Sequence, residues 1–140
     1  MAEFSHAQPA QPPFQRVRIV GSGLIGTSIG LALATLGVKV DMRDIDLRAQ
    51  SLARDLVKSQ DLADPQLTIL AVPGSALAEV LKSEFLLNPG SKFIDIGSVK
   101  TKPLLEVSKS QIPASNFLAT HPMAGREVGG AESARADLFQ

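Results

Sequence analysis

Three glycines, Gly21, Gly23 and Gly26, sit between an apolar run that reads as a strand, Val17 to Val20, and a segment of helical period, Leu24 to Leu36. Few folds have a use for that spacing in that place. A chain that leaves a strand and enters a helix within a few residues must turn tightly, and a glycine at the first position permits the turn. A second glycine lets a ligand approach the backbone with no Cβ in the way, and a third lets helix and strand pack closely. The first turn of the helix then presents unpaired N–H groups suited to an anion such as a pyrophosphate. The G-x-G-x-x-G pattern is weak alone and gains meaning from the strand before it and the helix after it. Its plain alternative is a glycine-rich turn that binds nothing.

The rest of the chain repeats the alternation of short apolar runs with longer helical segments. The first helix ends at Gly37, and Val38 to Met42 reads as a second strand, which completes one βαβ unit. Leu47 to Val57 reads as a helix with Asp46 placed to cap it, and any third strand must lie in the short stretch before Asp64. Leu67 to Val72 is continuously apolar, as a strand buried on both faces should be, and Pro73-Gly74 ends it before a helix from Ser75 to Leu87. Lys92 to Ile96 and Asn116 to Thr120 read as further strands, Pro103 to Ser110 as a helix, and Glu132 to Phe139 has helical character. The fold class this implies is α/β, a Rossmann-type doubly wound and mainly parallel sheet in a single domain. Residues 1–15, with Pro9, Pro12 and Pro13, read as a flexible tail, which leaves residues 16–140 as the dinucleotide-binding domain.

Composition narrows the function classes. Lys plus Arg and Asp plus Glu both number 14 and form no basic stripe, which disfavours nucleic acid and anionic lipid as partners. The longest apolar stretch, Ile29 to Val38, falls well short of the roughly 18 to 20 residues of a membrane span. Cysteine is absent, so disulfides, thiolate metal sites and a cysteine nucleophile are excluded, and a reducing cytoplasm fits.

Asp44 follows the second strand about 20 residues after the glycines, where a carboxylate accepts ribose hydroxyls and repels a 2′-phosphate. That favours NAD over NADP. Asp41 or Asp46 takes the same role if the strand end is displaced by two residues, and Arg43 and Arg48 stand near enough to compensate a 2′-phosphate, so NADP stays open. Ala71-Val72-Pro73, then Asp95-Ile96-Gly97-Ser98-Val99-Lys100, then His121-Pro122-Met123-Ala124-Gly125 all fall at carboxyl ends of expected strands, the edge where open α/β sheets bind ligands. His6 lies in the tail, so His121 alone offers an imidazole at a structured site, and no tyrosine or cysteine competes as a base near neutral pH. The plainer roles are a turn residue for His121, a local cap for Ser98, and solvated side chains for Lys100 and Glu127.

Taken together, GSGLIGTSIGLAL, ILAVP, DIGSVK and HPMAGREVGGAESARADLF resemble, in order and spacing, the N-terminal nucleotide-binding domain of the prephenate and arogenate dehydrogenases. The pair D-x-G-S-V-K and H-P-M-A-G-x-E is the specific part. The resemblance implies NAD-dependent, or NADP-dependent, oxidative decarboxylation of prephenate to 4-hydroxyphenylpyruvate or of arogenate to tyrosine, in tyrosine biosynthesis and without a metal. It implies that His121 hydrogen-bonds the ring hydroxyl of the substrate and accepts its proton, that Ser98 orients His121, and that Glu127 stands near the site entrance. Lys100 receives no role. Gly21, Gly23, Leu24, Ile25, Gly26, Asp44, Ala71, Val72 and Pro73 would hold the cofactor. Family members continue into a helical domain that builds a homodimer and the rest of the substrate pocket. The resemblance therefore leads one to expect that domain to be absent from these 140 residues, which alone would bind cofactor with little turnover. Two other readings stand beside this one: another Rossmann dehydrogenase acting on a hydroxy acid or imine, and a non-catalytic nucleotide-binding module.

Overall fold

A computed structural model describes residues 10–97, 105, 108, 109, 112–120, 134 and 136. Strands β1 (Arg16–Val20), β2 (Lys39–Arg43), β3 (Leu67–Leu70), β4 (Lys92–Asp95) and β5 (Phe117–Ala119) form one parallel sheet in the order β2-β1-β3-β4-β5. Helices α1 (Leu24–Thr35), α2 (Leu47–Val57) and α3 (Gly74–Leu87) join them, and a 3-10 turn, Ala114–Asn116, leads into β5. Among the described residues no helix is long and apolar enough to cross a membrane.

The strands read their two faces by alternation. Val17 and Ile19 of β1, Val40 and Met42 of β2 and Leu67 and Ile69 of β3 share one core with Ala53 and Val57 of α2, and Ile29, Leu31 and Leu33 of α1 pack against it. On the other side Leu70 and Phe93 meet Leu77 and Leu81 of α3. β3 is buried at all four positions, as its unbroken apolar sequence predicts. α1 and α2 start as read from the sequence, and Asp46 does cap α2, its Oδ1 accepting from the N–H groups of Arg48 (3.0 Å) and Ala49 (3.2 Å). Ahead of β1, Phe14 packs on the first core and the Gln15 carbonyl accepts from Lys39 N–H at 2.9 Å, so ordered structure starts before Arg16. Leu105 and Ser108 are helical. The other residues expected to form the 103–110 helix, apart from Lys109, and nearly all of the 132–139 segment lie outside the described residues.

No strand forms in the short stretch before Asp64, where the sequence left room for one. Residues 58–66 instead run as an irregular connection along the open edge of β2. An edge strand leaves a row of unpaired backbone groups, and this connection pairs them with help from Arg54 of α2. Gln60 N–H donates to the Val40 carbonyl at 2.8 Å, the Ser59 hydroxyl accepts from Met42 N–H at 2.8 Å, and Arg54 Nη1 donates to the Met42 carbonyl at 3.0 Å. Nine residues are too few to add another strand and crossover helix, and enough to seal the edge.

Beside the end of α3, the second face of β1 and β2 carries charge where a core would carry aliphatic groups. Asp41, 0% exposed, accepts from Arg18 Nε (3.2 Å), Arg43 Nε (2.9 Å), Arg54 Nη1 (3.1 Å) and Leu62 N–H (3.2 Å). Arg18 also reaches Glu84 of α3 at 3.1 Å and the Leu62 carbonyl at 2.6 Å. Burial opposes ionisation of Asp41. Hydrogen bonds from Arg43 and Leu62 N–H, with the charges of Arg43 and Arg18, outweigh it and hold the carboxyl below its ordinary value. The bond to Asp41 in turn raises the Arg43 guanidinium. Because the folded carboxyl titrates below its ordinary 3.8, its stabilisation is complete above that pH and is lost as pH falls through the lower folded value. Asp41→Asn strands buried cations and is expected to cost about 3 kcal/mol at neutral pH by urea denaturation. The gap between wild type and variant should close as pH falls below 3.8.

Candidate functional site

The turn from β1 into α1 is held by contacts that only glycine allows. Gly21 has φ +111°, and a Cβ there would lie 2.1 Å from the Ala71 carbonyl oxygen at the end of β3. A Cβ on Gly26 would lie 2.1 Å from the Gly21 oxygen. Gly23 differs: it is exposed, and a Cβ on it would meet nothing within 4 Å. Two of the three glycines thus serve internal packing, and the middle one faces open space. Gly23 is also the N-cap of α1 and gives it no side-chain hydrogen bond, nor does the first turn hold an acidic residue, whereas α2 is capped by Asp46. The start of α1, at Leu24 and Ile25, is left to an anion from outside the fold.

That open space belongs to a cavity of about 580 Å³ at the carboxyl edge of the sheet. Gly21 and Gly23 line one side, Asp44 and Ile45 the end of β2, and Ala71, Val72 and Pro73 the end of β3. Ala76, Glu79, Val80, Ser83 and Glu84 of α3 form the far wall. A second cavity of about 460 Å³ adjoins it through Val20, Asp44 and Glu84 and is also lined by Arg43 and Gln50. Asp44 is fixed between the two: its Oδ2 accepts from Ser22 N–H at 2.6 Å, its Oδ1 from Asp46 N–H at 2.8 Å, and its own N–H donates to Gln50 Oε1 at 2.9 Å. A carboxylate offers about four acceptor positions, so two bonds leave room for a vicinal diol. Asp41 and Asp46 are committed elsewhere, one inside the arginine cluster and one as the cap of α2, so of these three aspartates Asp44 is the one that lines the cavity.

Sequence reasoning missed the α3 wall and Ile45. The signal for the wall was the helical period running on from Pro73, which puts residues 76, 79, 80 and 83 on one stripe beside the core stripe of Leu77 and Leu81. For Ile45, fully exposed, the signal was a large β-branched side chain directly after the ribose-binding candidate. Ser98, Lys100, His121 and Glu127 lie outside the described residues. The residues that precede two of them do not: Gly97 follows β4, Thr120 follows β5, and these are neighbouring strands. Thr120 N–H and hydroxyl both donate to the Asp95 carbonyl, at 2.6 and 2.9 Å, and Asp95 Oδ1 accepts from Gly97 N–H at 2.9 Å. The strand ends leading to Ser98 and to His121 are therefore tied together, on the same rim as the glycine turn.

A family model described as prephenate dehydrogenase, nucleotide-binding domain, matches residues 29–140. The chain belongs to that family. The match starts after the glycine turn, so the turn's geometry is an independent sign of nucleotide binding. The chain is 32% identical over 124 residues to a probable prephenate dehydrogenase of Streptomyces niveus, an alignment that covers 86% of this chain and 34% of that protein. It is 28% identical over 144 residues to a cyclohexadienyl dehydrogenase of Zymomonas mobilis, covering 91% and 47%. Among solved structures, Synechocystis arogenate dehydrogenase superposes with a TM-score of 0.76 at 25% identity, over 88% of this chain and 46% of that one. A prephenate dehydrogenase from A. aeolicus, crystallised with hydroxyphenyl propionate and NAD+, shares the fold at TM-score 0.80 and 24% identity, over 94% and 49%. The chain spans about a third to a half of the length of the curated relatives it matches.

The glycines of this family member make separable predictions. Gly21→Ala forces a Cβ into a carbonyl oxygen at positive φ, and a loss of about 2 kcal/mol or more is expected in thermal or urea unfolding. Gly23→Ala has room, and the poorer N-cap is offset by lower entropy of the unfolded chain, so stability should change by less than about 1 kcal/mol. Dinucleotide affinity, read by calorimetry, should nevertheless fall at least about tenfold where a methyl group occupies the pyrophosphate's approach.

Proposed function

We propose that this chain supplies the NAD-binding part of a dehydrogenase that oxidatively decarboxylates prephenate, giving 4-hydroxyphenylpyruvate, or arogenate, giving tyrosine. What carries the reading is the pairing, across one cavity, of exposed Gly23 at the uncapped start of α1 with the fixed, half-buried carboxylate of Asp44. A pyrophosphate fits the first and a ribose diol the second. Ala71, Val72 and Pro73 carry the cavity wall toward the later strand ends. With Asp44, Glu79 and Glu84 lining the cavity, a 2′-phosphate is disfavoured, so NAD is the cofactor and NADP the weaker ligand.

Bound NAD+ would supply the hydride acceptor. His121 takes the proton of the substrate's ring hydroxyl, Ser98 orients that imidazole, and Glu127 stands at the entrance. Release of carbon dioxide with aromatisation supplies the driving force, so the base needs only a pKa near the working pH. Support for these roles comes from the family and from the tied ends of β4 and β5, from which the chain runs on to Ser98 and His121. The same reading makes the full-length protein a cytoplasmic homodimer of tyrosine biosynthesis, with no nucleic-acid or membrane partner.

Two measurements test this. Saturable NAD+ binding by the chain is expected in calorimetry, and Asp44→Ala should weaken it about tenfold, the worth of charge-assisted hydrogen bonds to the ribose. A chain that fails to bind NAD+ at any accessible concentration would end the proposal. In enzyme that forms NADH from prephenate or arogenate, His121→Asn should lower kcat by about 100-fold or more, the scale of a lost general base. A variant with unimpaired kcat would remove His121 from the chemistry.

A further inference from the structure

Arg43 directly precedes Asp44, and its side chain, 40% exposed, lines the cavity that adjoins the ribose carboxylate. An arginine in that place is the natural partner for a 2′-phosphate. Here its guanidinium is already engaged. Nε and Nη2 donate to Asp41 at 2.9 and 3.2 Å, and Nη2 also meets Asp61 Oδ1 at 3.2 Å. Asp61 holds Arg54 in the same way, at 3.1 Å.

We propose that Asp61 is a positioning residue that sets the cofactor preference by holding the Arg43 guanidinium away from the ribose edge of the cavity. The inference rests on reading that cavity as the NAD site. The two aspartates that hold Arg43 are not equivalent. Asp41 accepts from Arg18, Arg54 and Leu62 N–H as well as from Arg43, more donor contacts than two oxygens have lone pairs to serve, so its hold on Arg43 is shared with three other partners. Asp61 is 79% exposed on the connection that seals β2, and its carboxylate meets Arg43 and Arg54 from the solvent side. The cluster now balances three arginines, Arg18, Arg43 and Arg54, against three carboxylates, Asp41, Asp61 and Glu84. Without Asp61 one positive charge is left over, and of the three guanidiniums Arg43 is the one next to Asp44.

The test is a double-mutant cycle read by calorimetry with NAD+ and NADP+ on wild type, Asp61→Ala, Arg43→Gln and the double variant. Asp61→Ala is expected to tighten NADP+ about threefold to fivefold, the size of one exposed ion pair, and to leave NAD+ within about twofold. The gain should vanish in the double variant. Asp61→Asn, which keeps the side chain's shape, should shift the NADP+ to NAD+ ratio in the same direction and serves if the alanine variant unfolds. An unchanged ratio overturns the inference, as does a gain that survives without Arg43, because removing any anion from the neighbourhood would then suffice. Loss of the inference alone would leave wild-type NAD+ binding intact. A wild type that binds no NAD+ would overturn the reading of the cavity and the inference together.

Discussion

The backbone of Gly21 touches the backbone of Ala71, and the backbone of Gly26 touches that of Gly21, with no space at either contact for a methyl group. This stack joins the end of β1, the start of α1 and the end of β3 into one rigid corner. Two hydrogen bonds complete it, from Gly21 N–H to the Arg43 carbonyl at 2.8 Å and from Ala71 N–H to the Val20 carbonyl at 2.7 Å. The direction of α1 follows from the corner, and so does the exposure of its uncapped first turn. Further along α1 the same economy recurs at Gly30, where a Cβ would press on Met42 Sδ at 2.9 Å and Val57 at 3.1 Å. A helix lying this close to the sheet keeps its N-terminus aimed at one point, and an anion bound there would gain from that aim because less conformational freedom is lost on binding.

The other organising feature is the edge of β2. With no strand beyond it among the described residues, the 58–66 connection must satisfy the edge and help to cover the second face of β1 and β2. A short irregular segment brings few apolar groups, so the face is closed by arginines and aspartates. Replacing such a cluster with packed aliphatic groups can be neutral or stabilising in other proteins, so stability alone is a weak reason for its presence. Its position supplies a stronger one. The cluster ends at Arg43, one residue before Asp44, and its geometry fixes which charges face the cavity there.

Much of this could be read in the sequence, for a physical reason: β3 is buried on both faces, α1 carries glycines at required spacings, and Asp46 caps α2, each a local constraint that leaves a local mark. That Asp44 shares a cavity with the glycines was legible for the same reason, as a carboxylate at a strand end a fixed distance from them. The role of Asp41 was not. V-D-M and V-R-I on paired strands advertise one apolar and one polar face, yet only the register Arg18↔Asp41 shows that the polar face is a buried ion cluster rather than a solvated surface. The sealed edge was hidden as well, because Ser59, Gln60 and Asp61 look like any polar loop until their partners on β2 and α2 are known.

The sheet divides its work between its two halves. Turns after β1, β2 and β3 make the cavity beside the glycine turn, and their geometry depends on glycine contacts and on a carboxylate that backbone N–H groups hold in place. The strands β4 and β5 do not line the two cavities beside the glycine turn, but their ends are locked together by Thr120 on the Asp95 carbonyl, and the turn after β4 is shaped by the Asp95 carboxylate on Gly97 N–H. Asp95 thus ties the first residue of D-x-G-S-V-K to the residue before H-P-M-A-G. Chemistry that needs a hydroxyl and an imidazole from separate segments requires both to start from fixed points. A buried aspartate that uses its carbonyl toward one segment and its carboxylate toward the other meets that requirement, and it gives a physical reason for the motif to begin with Asp rather than with another strand residue.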